Sequence, residues 1–185
     1  MGFDDIVKKR AAVEKFSSKK PAMEKITEAV MIANMAPTPG NVHVLTYTLV
    51  DDPEKIEAVA DACQEDYLKF APYIIVVCSE PRLVKRLYTG NTEKYVHHHV
   101  GYAVENLLLK LTELGFASNI VELFPDDLLR NLLRIPDNHE IELLIPVGFA
   151  LGKEKTSRQK PSLYNRLFFN EFGNRFYKPF KRIRR

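Results

Sequence analysis

The spacing of hydrophobic residues changes several times along the chain between the period of a helix and that of a strand. The strongest helical repeat lies at residues 100–114, and Gly115 follows it as a suitable left-handed cap. Its repeating positions are Val100, Val104, Leu107, Leu108, Leu111 and Leu114. Shorter repeats predict helices near residues 3–10, from Pro21 to residue 33, and over residues 53–63 and 126–134.

Strand-like segments lie between these helices. The sequence predicts strands at residues 44–50, 73–79, 118–123 and 141–150. The segment "YIIVVCS" at residues 73–79 is a continuous apolar run, which predicts a strand buried on both faces. Because helices and strands mix without the regular βαβ alternation of a doubly wound sheet, we expect an α+β fold.

Composition and charge favour one domain with a basic extension. A chain of 185 residues that is 45% hydrophobic can bury one substantial core, which we place at residues 1–152. A polar segment then leads into an aromatic and basic C-terminal arm, residues 153–185. Residues 151–185 hold eleven Lys/Arg against two Glu, and the preceding 150 residues hold sixteen Lys/Arg against twenty-two Asp/Glu. The resulting net charges of +9 and −6 indicate an arm that suits an anion, a phosphate, nucleic acid or an acidic partner surface.

The sequence argues against several classes of protein. No run of 18 apolar residues predicts a membrane span, and the N-terminus "MGFDDIVKKR" lacks the apolar region of a signal peptide. Cys63 and Cys78 lack a metal-binding spacing, so we expect no structural zinc, iron–sulfur cluster or disulfide framework, which fits a cytoplasmic protein. The consecutive residues His97, His98 and His99 point about 100° apart on a helix and cannot share a metal ion. We therefore expect no metal site and a solvated helix start there.

The residues alone leave the chemistry open. The chain contains no dinucleotide-binding, P-loop, serine-hydrolase or zinc-protease motif. Arg10 precedes an early turn, and Arg158 and Lys160 lie on the basic arm, so these cations could donate charge-assisted hydrogen bonds to a phosphate. Solvated surface charges remain the simpler interpretation of these three residues taken alone.

Six segments, in the same order, resemble the FMN-dependent nitroreductase family. They are "RAAVEKFSSKKP", "IANMAPTPGNVHVL", Gln64 before "APYIIVVCS", "VGYAVENLLLKLTELGFAS", "VELFPDD", and "PVGFALG" with "RQKPSL". The family has motifs of the form RRSxRxF and APSxxNxQPW at the first two places. The resemblance extends to about residue 160. It implies a nitroreductase-like fold with a central, mainly antiparallel sheet flanked by helices, and a C-terminal arm that extends onto a partner subunit.

The resemblance also implies a cofactor site. Its residues would be Arg10, Ala12, Pro37, Thr38, Pro39, Asn41, Gln64, Glu122, Leu123, Arg158 and Lys160. Arg10, Arg158 and Lys160 would hold the FMN phosphate. The rigid loop at residues 37–41 would lie against the flavin ring, with Thr38, Pro39 and Asn41 lining the ring and its ribityl chain.

Other positions are implied less directly. Gln64 would bond toward the ring edge or the ribityl chain, and Glu122 and Leu123 would present backbone groups near the reactive N5. The alternatives stay open, since Gln64 could be an exposed helix residue, Thr38 a turn residue and Glu122 a surface residue.

The chain departs from the family pattern at two places. Ala12 and Glu14 replace a serine and an arginine, which removes a hydroxyl donor and adds a negative charge near the expected phosphate. The sequence His43-Val44-Leu45 stands where the family has QPW, so an aromatic wall is missing and an altered substrate side is expected.

The function that the resemblance implies is that of a homodimeric FMN oxidoreductase. Hydride would pass from NAD(P)H through the flavin to a small acceptor such as a nitro compound or a quinone, and no side chain would act as a nucleophile. Two alternatives remain: a flavin-binding protein with little turnover, and a nucleic-acid or acidic-partner binder that uses "YKPFKRIRR". Packing of this arm on a second subunit is favoured over nucleic-acid binding.

Overall fold

A computed structural model describes residues 1–90, 92–152, 163 and 166–176. The helices are α1 (Phe3–Lys9), α2 (Met23–Ala33), α3 (Pro53–Cys63), α4 (Arg82–Lys85), α5 (Glu93–Glu113) and α6 (Asp126–Leu133). The strands are β1 (Leu45–Val50), β2 (Tyr73–Ser79), β3 (Ala117–Ser118) and β4 (Glu140–Gly148). Two short 3₁₀ turns occupy Pro39–Asn41 and Asp66–Phe70. Most of the predicted arm, including Arg158 and Lys160, lies outside the described residues.

The four strands form one antiparallel sheet in the order β1-β2-β4-β3. This arrangement confirms the predicted α+β class and the mainly antiparallel sheet. Strand β2 lies between β1 and β4, and all seven of its residues are buried. The continuous apolar run "YIIVVCS" is therefore explained by helices that cover both faces of the sheet.

Two hydrophobic clusters cover the two faces of the sheet. Tyr73, Ile75 and Val77 of β2 point toward α2 and α5, and Ile74, Val76 and Cys78 point toward α3 and α6. The alternation follows from the two-residue period of a strand. The helices therefore form an outer layer on each side, and α5 is the long wall of the first layer.

Local chemistry explains the ends of α3 and α5. The Asp52 side chain accepts a hydrogen bond of 3.0 Å from the Glu54 amide, and Pro53 supplies the first helical residue of α3. After α5, Gly115 has a positive φ of 83°, as the sequence predicts for its cap. Helix α2 begins at Met23 with Ala22 as its N-cap, so Pro21 lies before the helix and not in its first turn as predicted. The Pro21 carbonyl accepts a 3.0 Å hydrogen bond from Tyr73 Oη.

Three further predictions of local structure were wrong. Helix α5 begins at Glu93 and not at residue 100, because Val96 and His99 continue the buried stripe toward the N-terminus. His99 is 2% exposed, so the expected solvated helix start is incorrect at that residue. The predicted strand at residues 118–123 is reduced to β3 and one bridge, because Asn119 bonds Tyr67 and its own neighbour and leaves the strand register.

The segment that follows α1 runs along one edge of the sheet. Ala12 forms a parallel bridge with Ser118, and Phe16 forms an antiparallel bridge with Ala150. The Leu151 amide donates a 2.8 Å hydrogen bond to the Lys15 carbonyl. The first motif of the sequence is therefore held beside the residue at which the chain leaves the sheet toward its C-terminal arm.

Candidate functional site

Helix α5 separates two clefts at the surface. The acidic cleft has a volume of about 350 Å³ and includes His97, Glu105, Ile120, Glu122, Glu142 and Leu143 in its lining. The loop cleft has a volume of about 140 Å³ and is lined by Pro37, Thr38, Pro39, Tyr95, His98, His99 and Tyr102. Both clefts contain residues that the sequence predicted for a cofactor site.

The loop cleft is shaped by an unusual backbone. Gly40 and Asn41 have φ values of 58° and 59°, in the left-handed region. Glycine accepts this conformation readily and asparagine tolerates it, which explains "PTPGN" at this turn. A Cβ atom on Gly40 would lie 2.9 Å from Tyr88 Oη, so the segment after α4 also restrains the loop. These contacts present half-buried Thr38 to the cleft.

His99 forms the inner part of the loop cleft. Its Nδ1 atom is buried and has no hydrogen-bond partner among the described residues. The ring lies 6.2 Å from the ring of His43 in an edge-on arrangement. Burial lowers the pKa of His99, and the nearby His43 lowers that pKa further, so the neutral imidazole is favoured.

The acidic cleft has the opposite character. Glu105, Glu122 and Glu142 all contribute to its lining. Glu142 Oε1 accepts a hydrogen bond of 2.5 Å from Ser79 Oγ, which fixes that carboxylate against β2. Three carboxylates in one cleft disfavour an anionic ligand unless a cation lies nearby.

Arg10 is the cation beside this cleft. Its Nε atom lies 3.5 Å from Glu105 Oε1, and this contact lacks the geometry of a hydrogen bond. Nε is buried and has no hydrogen-bond partner in the described part of the chain. An unbonded guanidinium N–H fits an anionic acceptor such as the phosphate of FMN, although Glu105 competes for the same charge.

The structure brings together only some of the predicted residues. Pro37, Thr38 and Pro39 share the loop cleft, and exposed Asn41 ends the adjoining turn. Glu122 lies in the acidic cleft, next in sequence to Leu123, which is 88% exposed.

Two predicted residues occupy other positions. Ala12 is exposed and uses its backbone in the bridge to Ser118. Gln64 is exposed at the end of α3, on the opposite face of the sheet from α2 and α5. Gln64 is not among the residues that line either cleft.

Sequence reasoning missed several residues that line the clefts. Tyr95, His98, His99 and Tyr102 belong to the loop cleft, and Glu105 belongs to the acidic cleft. The buried spacing of Val96, His99, Val100 and Ala103 was the available signal, because it extends the helical repeat across the histidines. The polar character of the three histidines concealed this repeat.

Both cysteines lie outside the two clefts, and the three consecutive histidines are divided between the clefts. Within the described residues, no group of three or more His, Cys, Asp or Glu side chains is arranged to hold a metal ion. The three consecutive histidines diverge, since His97 faces the acidic cleft and the next two face the loop cleft. Burial raises the pKa of both Cys63 and Cys78 to about 11, which disfavours the reactive thiolate.

Among the described residues, none of the helices combines the length and the apolar character that a membrane span requires.

Comparison with known proteins points to one family. A family model described as the nitroreductase family matches residues 63–149. An iodotyrosine deiodinase from Thermotoga neapolitana is 26% identical over 173 residues, which cover 78% of this chain and 87% of the relative. A putative NADH dehydrogenase/NAD(P)H nitroreductase from Archaeoglobus fulgidus is 28% identical over 145 residues, which cover 76% of this chain and 80% of the relative. The solved structure of an FMN-dependent nitroreductase from Clostridium difficile has a TM-score of 0.77 at 21% identity, over 90% of this chain and 98% of its own, which shows a shared fold.

Proposed function

We propose that this chain, whose residues 63–149 match the nitroreductase family model, is an FMN-dependent oxidoreductase of that family. The substrates are NAD(P)H and a small acceptor such as a nitro compound or a quinone. When bound, FMN would supply the redox chemistry, because its ring can accept a hydride and pass two electrons to the acceptor. For a quinone, NAD(P)H gives up a hydride, which carries two electrons and one proton, and becomes NAD(P)⁺. A second proton from water completes the hydroquinone.

One structural observation carries the cofactor proposal: a buried guanidinium N–H of Arg10 lacks a hydrogen-bond partner. In the proposed site Arg10 donates to the phosphate. The hydrogen bond between Leu151 and Lys15 supports this role, because it holds the residue just before the basic arm beside the segment that carries Arg10. Arg158 and Lys160, outside the described residues, are proposed to complete the charge neutralisation.

The separation of Arg10 from the loop cleft supports a homodimer. Arg10 contacts Glu105 beside the acidic cleft, whereas Thr38 and Pro39 lie in the loop cleft on another side of α5. Tyr102 on α5 is 50% exposed and is available for contact with a second subunit. We place the flavin site at a subunit interface, where the phosphate-binding and ring-binding groups can come from different chains.

The cofactor proposal is tested by the absorption spectrum of the purified protein. We expect flavin bands, release of FMN on denaturation, and oxidation of NADH or NADPH in the presence of a quinone. Colourless protein that also fails to bind added FMN would contradict the proposal. Bound flavin without NAD(P)H oxidation would instead favour a flavin-binding protein with little turnover.

The dimer is tested by truncation. Deleting residues 163–185 removes most of the arm, including Phe172 and Phe176, which are 95% and 78% exposed in the single chain. Because large exposed aromatic side chains disfavour a monomer, we infer that the arm packs on the partner subunit. Truncation would uncover the surface beneath it, so we expect aggregation or loss of flavin. A truncated protein that remains a monodisperse dimer and keeps its cofactor would show that the arm has another role, such as binding nucleic acid.

Reductive dehalogenation is a second candidate function. It is favoured by the match to the iodotyrosine deiodinase from Thermotoga neapolitana over 78% of this chain. In such a reaction two electrons and one proton convert an iodophenol to the phenol and iodide. Iodide release from 3-iodotyrosine by the reduced protein would support this function, and quinone reduction without iodide release would favour the first.

A further inference from the structure

The short helix α4 carries a cluster of exposed cations. Residues 82–94 hold four Lys/Arg against one acidic residue, Glu93. Arg82, Lys85 and Arg86 stand at positions i, i+3 and i+4, so their side chains lie on the same side of the helical turn. All three are exposed. The surface that these three side chains form is called the basic face below.

The basic face lacks the carboxylate partners that other cations of this protein have. Among the described residues, none of its three side chains forms an ion pair. Lys25, Lys69 and Lys110, in contrast, each lie 2.8 Å from a carboxylate oxygen. Like charges on one helical turn repel each other, and an anion among them relieves that repulsion. The basic face therefore suits an anionic ligand, and a phosphate can accept hydrogen bonds from several cations at once.

The basic face lies beside the loop cleft. Leu87 and Tyr88 follow it directly in the sequence. A Cβ atom on Gly40 would lie 3.0 Å from Leu87 Cδ1 and 2.9 Å from Tyr88 Oη. The Tyr88 ring also lies 5.2 Å from the ring of Tyr95, which lines the loop cleft. The segment that carries the basic face is therefore packed against the loop that we assign to the flavin ring.

The size of the loop cleft limits where a nucleotide can lie. The cleft has a volume of about 140 Å³, and we assign that space to part of the flavin. A hydride donor must then approach from outside, with its nicotinamide near the flavin ring and its adenosine end on the surrounding surface. Tyr88 is 38% exposed and offers an aromatic ring on which an adenine can stack. The acidic cleft, with its three glutamates, disfavours a phosphate.

We propose that the basic face binds the 2′-phosphate of NADPH, and that NADPH is therefore preferred as hydride donor over NADH, which lacks this group. Lys85 and Arg86 donate charge-assisted hydrogen bonds to the phosphate oxygens, and Arg82 adds a third positive charge. These residues determine specificity and take no part in hydride transfer. The identification of the donor rests on the proposed function, whereas binding of the phosphate does not.

The extent of the basic face favours a single phosphate over nucleic acid. Three cations on one helical turn match the charge of one phosphate group. A nucleic acid presents a row of phosphates, and its binding groove follows that backbone over several nucleotides.

The proposal is tested by the binding of adenosine 2′,5′-bisphosphate and of 5′-AMP to the purified protein, with its cofactor as isolated. The two probes differ only in the 2′-phosphate, and calorimetry measures both affinities without turnover. Wild-type protein should prefer the bisphosphate by about tenfold at low salt, the scale of one charge-assisted hydrogen bond. This preference should shrink as the salt concentration rises.

Substitutions in the basic face should reduce this preference. Lys85→Gln and Arg86→Gln should each lower it by about threefold, and the double variant should lose it. Arg86→Lys keeps the charge and should retain more of the preference than Arg86→Gln. Lys55→Gln, on the exposed side of α3, makes the same change in net charge as Lys85→Gln and should behave as wild type.

Three outcomes would overturn the proposal. The first is equal affinity of wild-type protein for the two probes, and the second is an unchanged preference in the folded double variant. The third is tighter binding of a single-stranded oligonucleotide than of the bisphosphate, lost in the same double variant, which would make the basic face a nucleic-acid surface.

Steady-state kinetics separate this proposal from the proposed function. We expect kcat/KM to be higher for NADPH than for NADH, and the ratio to fall in Arg86→Gln. FMN-dependent oxidation with equal kcat/KM for the two donors would reject the phosphate site and leave the proposed function standing. Binding of the bisphosphate through the basic face, in a protein that neither binds FMN nor oxidises NAD(P)H, would reject the proposed function and leave the phosphate site standing.

Discussion

The acidic cleft and the loop cleft share α5 as a wall, yet their charges differ. Glu105, Glu122 and Glu142 line the first, and no Asp, Glu, Lys or Arg lines the second. The difference comes from the helical period, which directs neighbouring residues of α5 to different sides. An uncharged group therefore suits the loop cleft better than an ion does, and an anion in the acidic cleft would need Arg10 as its counterion.

The two clefts also differ in how their shape is maintained. The loop cleft depends on the left-handed turn at Gly40 and Asn41. The acidic cleft depends on α5 and β4, where Leu143 and the bonded side chain of Glu142 form part of its lining. A change in the shared helix should affect both clefts, and a change in the turn should affect only one.

The largest effect is expected from Leu107→Ala in the shared helix. Leu107 is fully buried between α5 and the sheet, so loss of its side chain leaves a cavity and should lower the free energy of unfolding by about 2–5 kcal/mol. Urea unfolding measures this change. Leu123→Ala removes a side chain that is 88% exposed and should change the free energy of unfolding by no more than about 0.5 kcal/mol. Equal effects of the two substitutions would show that α5 is not the central support.

The sequence predicted those parts of the molecule that depend on local patterns. The apolar run at residues 73–79 and the cap at Gly115 were confirmed, because burial and backbone conformation there leave a direct signal in the residue types. The start of α5 and the burial of His99 were not predicted, since a polar residue in a buried stripe interrupts the hydrophobic pattern. Tertiary contacts, which the sequence pattern does not contain, determine that burial.

The candidate site was predictable in parts and not in its arrangement. The loop at residues 37–41 was identifiable from its proline and glycine content. Its pairing with Tyr95 and His99 required knowledge of which side of α5 the loop packs against. The contact of Arg10 with Glu105 joins residues far apart in the sequence, and no local pattern indicates it.

The turn is tested by Gly40→Ala. The positive φ of 58° is unfavourable for an L-residue, and the new Cβ would approach Tyr88 Oη at 2.9 Å, so stability should fall by about 1–2 kcal/mol. Gly101→Ala is the matched control. Gly101 lies within α5 with open space around it, and alanine should increase stability there by about 0.5–1 kcal/mol. A neutral result at Gly40 would mean that the turn relaxes easily and does not fix the loop cleft.

The neutral state of His99 is tested by the pH dependence of stability. Burial lowers the pKa of His99 below its ordinary value of 6.5, so the unfolded chain binds a proton that the folded protein resists. Stability should therefore fall as pH decreases below 6.5 toward the lower native pKa, with a slope of at most about 1.4 kcal/mol per pH unit for one proton. His99→Leu should lose this component between pH 7 and 5, and His139→Leu should keep it. An unchanged pH profile in His99→Leu would show that His99 is not held neutral.

The smallest effect is expected where the acidic cleft meets Arg10. The side chains of Arg10 and Glu105 are 24% and 49% exposed, and an ion pair of this kind contributes about 0–1 kcal/mol to stability. Glu105→Gln should therefore leave the fold intact. The substitution removes a negative charge that lies beside Arg10, so FMN should bind a few-fold more tightly. This gain in affinity should shrink as the salt concentration rises.

Riboflavin distinguishes this electrostatic effect from a general change in the cleft, because it lacks the phosphate. Its affinity should be the same in wild type and Glu105→Gln. Glu57→Gln, on the exposed side of α3, makes the same change in net charge and should leave FMN binding unaltered. If FMN instead binds more weakly to Glu105→Gln, then the carboxylate positions the guanidinium and does not compete with the phosphate. If FMN affinity follows the Glu57→Gln control, Arg10 does not contact the phosphate, and the acidic cleft has no part in binding the cofactor.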